Sequence, residues 1–121
     1  IFMKYNLFLF FLFFQFYFFY GQKKEIIKTS FKVDGVCYMC KNRIEKTVFK
    51  IKGIKHANWD ISSNEILVIY DNNKASIENI HKKIAGSGHN TQIEFASDSI
   101  YNNLPECCLY KKKDKKKLLN H

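Results

Sequence analysis

The two cysteines of Cys37-Tyr38-Met39-Cys40 are the residues in this sequence best suited to chemistry. Thiolate sulfur is a soft ligand that prefers Cu(I), Zn(II) and similar ions, and a turn with this spacing can direct both sulfurs at one ion. Cys40 falls in the first turn of a predicted helix, where the helix dipole and unpaired backbone N–H groups favour the deprotonated sulfur. The spacing therefore predicts a site for a soft metal ion.

Hydrophobic periodicity predicts the elements that position this pair. Residues 25–33 alternate between apolar and polar side chains, which is typical of a half-buried strand, and Asp34-Gly35 indicates a turn. From Cys40 onward the apolar spacing becomes helical, and Gly53 is expected to end this helix. The cysteine pair therefore lies where a strand passes into a helix.

The following part of the chain predicts a hairpin, a second helix and a last strand. Two runs, from about Ile54 to Ile61 and from Glu65 to Tyr70, indicate the hairpin strands. Ser76 can cap a helix that ends at Gly86-Ser87-Gly88, and residues 91–95 alternate as a short strand. The order β-α-β-β-α-β predicts the α+β class: a ferredoxin-like βαββαβ sandwich with a four-stranded antiparallel sheet and two helices on one face.

Composition divides the chain into three parts. Residues 1–21 contain an apolar run behind Met3, the expected initiator, and a single lysine. This pattern predicts a signal peptide or, because the run approaches the length of a spanning helix, an N-terminal membrane anchor. Residues 22–98 form the predicted domain and residues 99–121 a tail with adjacent cysteines and many lysines. We expect a periplasmic or secreted protein, or one anchored in the membrane and facing outside the cytoplasm.

The basic charge bears on the partners of the protein. The formal net charge is +9, and much of it lies in the lysine run of residues 111–117, which is typical of a solvated tail. Contact with anionic lipid is the alternative, so membrane contact is expected through this tail or the N-terminal segment. No nucleic-acid partner is predicted, because the first and third strands lack the paired aromatic residues on which bases stack.

The motifs together resemble the heavy-metal-associated domain family over residues 25–96. This family includes small copper chaperones, the periplasmic mercury-scavenging protein and the N-terminal domains of metal-pumping P-type ATPases. The resemblance rests on five short motifs: Val33-Asp34-Gly35, Cys37-x-x-Cys40, Arg43-Ile44-Glu45, Gly53-Ile54 and Ala85-Gly86. It implies binding and transfer of a soft metal ion, with a membrane metal transporter or P-type ATPase as partner.

The resemblance also implies the ligand set. Two thiolates accept Cu(I) or Hg(II) in near-linear geometry while Zn(II) prefers four ligands, so Cu(I) is the ion most expected at Cys37 and Cys40. In the family, the loop after the second helix lies beside the metal, and here Gly88-His89 takes that place. Because imidazole suits copper and zinc, His89 is the candidate third ligand.

Other residues near the motif are expected to support the site without ligating the ion. Met39 could supply a thioether ligand, but a surface or packing role is expected. Lys41 and Lys46 are expected to stabilise the anionic thiolate complex and to complement an acidic partner. His81, like the remaining histidines outside the motif loops, is expected to be solvated.

Cys107 and Cys108 are the second group with chemical potential. They are candidate auxiliary metal ligands, and inclusion of these thiols would make Zn(II) binding an option. A structural disulfide is the alternative: a bond between the two neighbours is strained, but either could pair with Cys37 or Cys40 in an oxidising compartment.

One competing function uses the same motif. Cys-x-x-Cys also occurs in thiol–disulfide oxidoreductases. Against that reading, no tryptophan precedes Cys37, the only proline is Pro105, and the element order is not that of a thioredoxin. Since no other catalytic pattern is present, the sequence predicts a metal-binding protein that is not an enzyme.

Overall fold

We describe the protein from a computed structural model, which describes residues 2–17 and 24–112. The first element is helix α1, Phe2–Tyr17, whose large apolar side chains are exposed from Met3 to Phe14. Within the described residues, no helix has both the length and the hydropathy needed to cross a bilayer. The predicted signal peptide or anchor extends to residue 21, beyond the part of this segment that the structure describes, and it stays a prediction.

Three antiparallel strands form the sheet, in the spatial order β1-β3-β2. They are β1 (Ile26–Lys32), β2 (Ile54–Trp59) and β3 (Glu65–Asp71). The register places Phe31 opposite Ile66 and Ala57 opposite Val68, and all four side chains are buried. The alternation of β1 and the β2–β3 hairpin are therefore confirmed, as is the α+β class with an antiparallel sheet.

Two helices, α2 and α3, pack with this sheet around one core. Helix α2 is Tyr38–Phe49 and buries Cys40, Ile44 and Val48. Helix α3 is Ile77–Gly86 and begins as predicted, because the Ser76 side chain accepts a hydrogen bond from the Asn79 N–H at 3.2 Å. The helical spacing read from the sequence is the spacing of the core-facing side chains.

The predicted fourth strand is reduced to one bridge between Val33 and Thr91 in the part of the chain that the structure describes. The Thr91 hydroxyl accepts the Glu94 N–H at 3.0 Å, and the Thr91 N–H donates to the Glu94 carbonyl at 2.8 Å. This local turn uses backbone N–H and carbonyl groups that would otherwise pair with a neighbouring strand. The Gln92 side chain instead accepts the Lys32 N–H at the edge of β1, at 2.8 Å.

The chain after residue 96 adds to the core. Helix α4 is Asp98–Asn102, and two short 3₁₀ turns follow at Glu106–Cys108 and Tyr110–Lys112. Tyr101, Leu104 and Cys108 are all buried in the core cluster. A segment without clear periodicity is thus held against the domain by a few large side chains.

The prediction that His81 is solvated is wrong. His81 is 4% exposed, its Nδ1 lies 2.7 Å from the Thr91 hydroxyl, and its ring packs on Phe31 with the centroids 4.0 Å apart. Burial lowers its pKa, against the opposing field of Glu94 and Glu78. His81 is therefore a neutral core residue.

Candidate metal site

The loop that carries the first cysteine is fixed by Trp59. This side chain is fully buried and its indole N–H donates to the Val33 carbonyl at 3.0 Å. Its ring lies so close to Gly35 that a Cβ there would be 2.9 Å from two ring carbons. The Asp34 N–H also donates to the Asn90 carbonyl at 2.8 Å. The chain therefore enters the cysteine loop along a defined path, with no room for a side chain at Gly35.

The Cys37 and Cys40 sulfurs are held 3.2 Å apart at the start of α2. Cys37 is the N-cap residue, with an extended backbone, and Cys40 lies in the first turn. Cys40 is fully buried, while Cys37 is half-buried. The geometry is that of two thiols facing one point at the edge of the core, with Cys37 on the side toward solvent.

A third sulfur comes from the C-terminal turn. Cys108 Sγ lies 3.4 Å from Cys37 Sγ, and the sulfurs of Cys37, Cys40 and Cys108 all lie within 4.8 Å of one another. Cys108 is fully buried, and Arg43 Nη1 donates to its sulfur at 3.2 Å. All four cysteines are free thiols. The structure thus brings one of the two tail cysteines directly to the predicted pair.

Cys107 lies beside this group and also contacts Met39. Its thiol donates to the Met39 sulfur at 3.2 Å, and its sulfur is 3.9 Å from that of Cys108. Met39 itself is 50% exposed. The surface position predicted for Met39 is therefore present, and its thioether in addition contacts a tail cysteine.

The thiols differ in acidity because their surroundings differ. Burial acts to raise the pKa of Cys37, but the Cys40 N–H and the neighbouring thiols outweigh it and hold that pKa below its ordinary value. Burial raises the pKa of Cys40. Burial and the neighbouring thiols raise the pKa of Cys108 to about 11, although Arg43 opposes this. Cys37 is therefore the thiol of these three that deprotonates first.

His89 lies near the loop in an orientation fixed by its backbone contact. It is fully buried, its ring stacks on Tyr110, and its Nδ1 donates to the Asp34 carbonyl at 2.8 Å. Its Nε2 is buried without a hydrogen-bond partner. Among the described residues, the ligand atoms that lie within 4.8 Å of one another are the three cysteine sulfurs, and His89 is not in that group. Its role as third ligand stays a prediction, and the third sulfur beside Cys37 and Cys40 comes from Cys108.

Tyr110 anchors the C-terminal turn to the loop after α3. Its hydroxyl donates to the Gly88 carbonyl at 2.9 Å and accepts the Asn90 N–H at 3.1 Å. Burial raises its pKa to about 12, so the hydroxyl keeps its proton at neutral pH. Leu104 also packs over Gly88, where a Cβ would lie 2.7 Å from a leucine methyl. These contacts hold the turn that carries Cys108.

The cation at the thiols is Arg43, and Lys41 is engaged elsewhere. Lys41 Nζ donates to the Trp59 carbonyl at 2.7 Å and to Asn58 Oδ1 at 2.8 Å, and it forms an ion pair with Glu45. The expectation that Lys41 stabilises the thiolates is wrong for this reason. Lys46 lies on the same shallow surface as Met39 and Arg43.

The comparison with known proteins identifies the class. The chain matches the heavy-metal-associated domain over residues 30–90, and it belongs to that family. It is 29% identical over 68 residues to a copper chaperone CopZ of Staphylococcus haemolyticus, a match that covers 55% of this chain and 100% of the relative. The family resemblance read from the sequence is confirmed.

Similarity extends to domains of larger proteins. A copper-exporting P-type ATPase of Bacillus subtilis is 29% identical over 73 residues, which are 60% of this chain but 9% of that protein. The solved N-terminal domain of a potential copper-translocating P-type ATPase from Bacillus subtilis, in the Cu(I)-loaded state, is 28% identical. It covers 63% of this chain and 96% of that domain with a TM-score of 0.54. The chain thus matches a whole chaperone and a small part of a pump.

The sequence could indicate most of the residues of this site, but not which of them contact one another. Arg43 stood inside a motif used for the resemblance, yet its spacing gave no sign that it would reach a tail cysteine. Tyr110 had no signal beyond its closeness in sequence to Cys107 and Cys108. Trp59 and Gly35 are 24 residues apart, and only the fold shows that one excludes a side chain from the other.

Proposed function

We propose that this protein binds Cu(I) through Cys37, Cys40 and Cys108 and passes it to a metal-binding domain of a membrane P-type ATPase or other metal transporter. The observation that carries the proposal is the group of three thiol sulfurs within 4.8 Å of one another. The CopZ relatives and the copper-ATPase domains support the choice of metal and of partner. The activity is binding and transfer, not an enzymatic reaction.

The sulfur spacing suits a three-coordinate soft ion. Three thiolates around an ion at roughly 2.3 Å, the zinc–thiolate bond length, lie about 4 Å apart in a trigonal plane. The sulfurs are now 3.2 and 3.4 Å apart along two edges of the group, so a small rotation of the side chains opens the site. Soft thiolates favour Cu(I), with Hg(II) as the second choice, and Zn(II) would need a fourth ligand.

Transfer is favoured at Cys37. Cys40 and Cys108 are fully buried, whereas Cys37 is half-buried and has the lowered pKa. A thiolate of the partner can therefore approach the ion beside Cys37 and replace it, while the buried sulfurs still hold the ion. Exchange then proceeds through shared ligands, with one metal–sulfur bond formed as another is broken and no free ion released.

We also propose that this transfer takes place outside the cytoplasm. The run of exposed apolar side chains on α1 supports a segment that is recognised for export or that anchors the chain in a membrane. In either case the domain of residues 24–112 would meet its metal in the periplasm or outside the cell. Analysis of the mature N-terminus and fractionation of expressing cells test this part.

The metal proposal is tested by competition for Cu(I) between the reduced full chain, in mild detergent, and a chromophoric Cu(I) chelator. Cys37→Ser/Cys40→Ser should abolish tight binding. Cys108→Ser should weaken it by more than the roughly 10–100-fold that loss of an outer-shell partner costs. Glu106→Gln, an exposed neighbour on the same turn, is the matched control and should bind as the parent does. An unchanged affinity in Cys108→Ser would remove Cys108 from the site.

A further inference from the structure

A second sulfur pair adjoins the three-thiol site. Cys107 and Met39 come from different elements, the first 3₁₀ turn and the first turn of α2, yet their sulfurs are 3.2 Å apart. Cys108 links the two groups, since its sulfur is 3.4 Å from Cys37 and 3.9 Å from Cys107. Five sulfur atoms therefore form one connected cluster at the surface of the domain.

We propose that Cys107 and Met39, with Cys108 as a bridging thiolate, form a second Cu(I) position, so that one chain binds two Cu(I) ions in a shared sulfur cluster. This inference rests on the proposed function, because the first ion occupies Cys37, Cys40 and Cys108. The second position is outermost: Met39 is 50% exposed and Cys107 is half-buried. It is the more exposed of the two positions, and transfer to a partner still takes place at Cys37.

The ligand chemistry selects Cu(I) for this position. A thioether is a neutral, soft ligand that suits Cu(I) and is a poor partner for harder ions. The Met39 sulfur lies beside a free thiol on a side chain that is 50% exposed, so an ion from solvent can reach both sulfurs. A disulfide between the neighbouring Cys107 and Cys108 would be strained, and both residues are free thiols in this structure.

The charge of the cluster is offset in part by Arg43. Binding of two Cu(I) ions by the four cysteines releases up to four protons to solvent, and no electron is transferred. Four thiolates and two monovalent ions leave the cluster with a charge of −2, and the thioether adds none. The Arg43 guanidinium, which donates to the bridging Cys108 sulfur at 3.2 Å, offsets part of that charge.

The test is anaerobic native mass spectrometry of the reduced full chain, in mild detergent, titrated with Cu(I). We expect two Cu(I) ions per monomer for the parent chain. Cys107→Ser and Met39→Leu should each reduce this to one ion while the first ion stays tightly bound. Tyr38→Phe alters an exposed neighbour of Met39 that carries no sulfur and should keep two ions. X-ray absorption of the two-ion form should show copper–copper scattering that the one-ion variants lack.

The outcomes separate this inference from the proposed function. Saturation of the parent chain at one ion would overturn the second position and leave the first intact. Two ions in both Cys107→Ser and Met39→Leu would overturn the assignment of the ligands. Two ions shared between two chains, visible from the mass, would replace the internal cluster with an intermolecular one. No tight binding of any ion would overturn both proposals.

Discussion

Arg43 Nη1 donates a hydrogen bond to Cys108 Sγ at 3.2 Å, which joins the second turn of α2 to the C-terminal turn. The two residues are 65 positions apart in the sequence. Burial raises the pKa of Cys108 to about 11, and Arg43 is the group that acts against this rise. A thiolate at Cys108 is therefore formed beside its own counter-ion, and metal binding at this sulfur should depend on that cation.

Arg43→Gln should weaken Cu(I) binding at neutral pH by about 10-fold, the low end of the cost of losing an outer-shell partner. The deficit should shrink as pH rises, because a thiol that no longer has the guanidinium still deprotonates at high pH. Chelator competition at several pH values measures both effects. Lys46→Gln removes a positive charge one turn along α2 from Arg43, on the same shallow surface, and is the matched control. Equal losses of Cu(I) affinity in the two variants would show that Arg43 acts only through its positive charge and not through its hydrogen bond to Cys108.

Tyr110→Phe tests whether the C-terminal turn is held by its hydroxyl. The change removes a donor to the Gly88 carbonyl and leaves the Asn90 N–H without its acceptor. The free energy of unfolding should fall by about 1–3 kcal/mol, the cost of a buried polar group left unpaired. Denaturant unfolding of the metal-free chain measures this.

Tyr38→Phe is the control for that experiment, because Tyr38 is 76% exposed and should not change stability. In Tyr110→Phe the Cu(I) affinity should also fall toward that of Cys108→Ser, since the turn carries the third sulfur. A variant with reduced stability but full affinity would show that Cys108 is positioned without Tyr110.

The helices and strands with a hydrophobic pattern repeated over several residues could be predicted from the sequence. Single contacts between residues far apart in the sequence, or within one turn, could not. The strand of residues 25–33 and the helix from Cys40 follow from patterns that burial imposes at every second or third to fourth residue. The predicted last strand is reduced to one bridge because Thr91 forms its hydrogen bonds with Glu94 in a local turn. The alternation of apolar and polar residues carries no information on such local hydrogen bonds.

The site was predictable to the same degree. Cys37 and Cys40 form a local motif, and their closeness in space follows from the spacing. Cys108 is brought to them across 71 positions by the packing of Tyr101, Leu104 and Tyr110, for which the sequence has no period. The candidate role of Cys108 could be proposed from its chemistry, but its closeness to Cys37 and Cys40 in space could not.

Gly35→Ala should destabilise the chain and disturb the metal loop together. The new Cβ would lie 2.9 Å from two carbons of the Trp59 ring, which is fully buried and cannot retreat. Overpacking of this kind costs about 1–3 kcal/mol. Denaturant unfolding gives the loss of stability, and Cu(I) competition should show a weaker site, because the displaced loop moves Cys37.

Gly86→Ala is the control, because a Cβ at Gly86 meets nothing within 4 Å. This residue ends α3, so the substitution should be neutral or stabilise the chain by up to roughly 1 kcal/mol. If both alanine variants were equally unstable, the close approach of Trp59 to Gly35 would not be the cause.

His89 should make the metal-free chain less stable as the pH falls below neutrality. Burial, with a smaller contribution from Arg43, lowers its pKa to about 4 against the opposing effect of the Asp34 hydrogen bond. The unfolded chain has the ordinary value of about 6.5, so it takes up a proton that the folded chain refuses. The contribution is full above pH ~6.5, declines from there to about pH 4, and amounts to about 3 kcal/mol.

Denaturant unfolding at a series of pH values between 7 and 4 measures this slope. His89→Asn keeps a donor that can reach the Asp34 carbonyl but has no titrating ring, so its stability should fall less steeply over the same range. His56→Asn alters an exposed histidine on β2 and should retain the parent slope. The buried His81 has a lowered pKa as well and leaves a residual slope of the same sign in every variant. Identical slopes in the parent and in His89→Asn would show that the His89 imidazole takes up its proton as readily in the folded chain as in the unfolded chain, which would contradict the prediction.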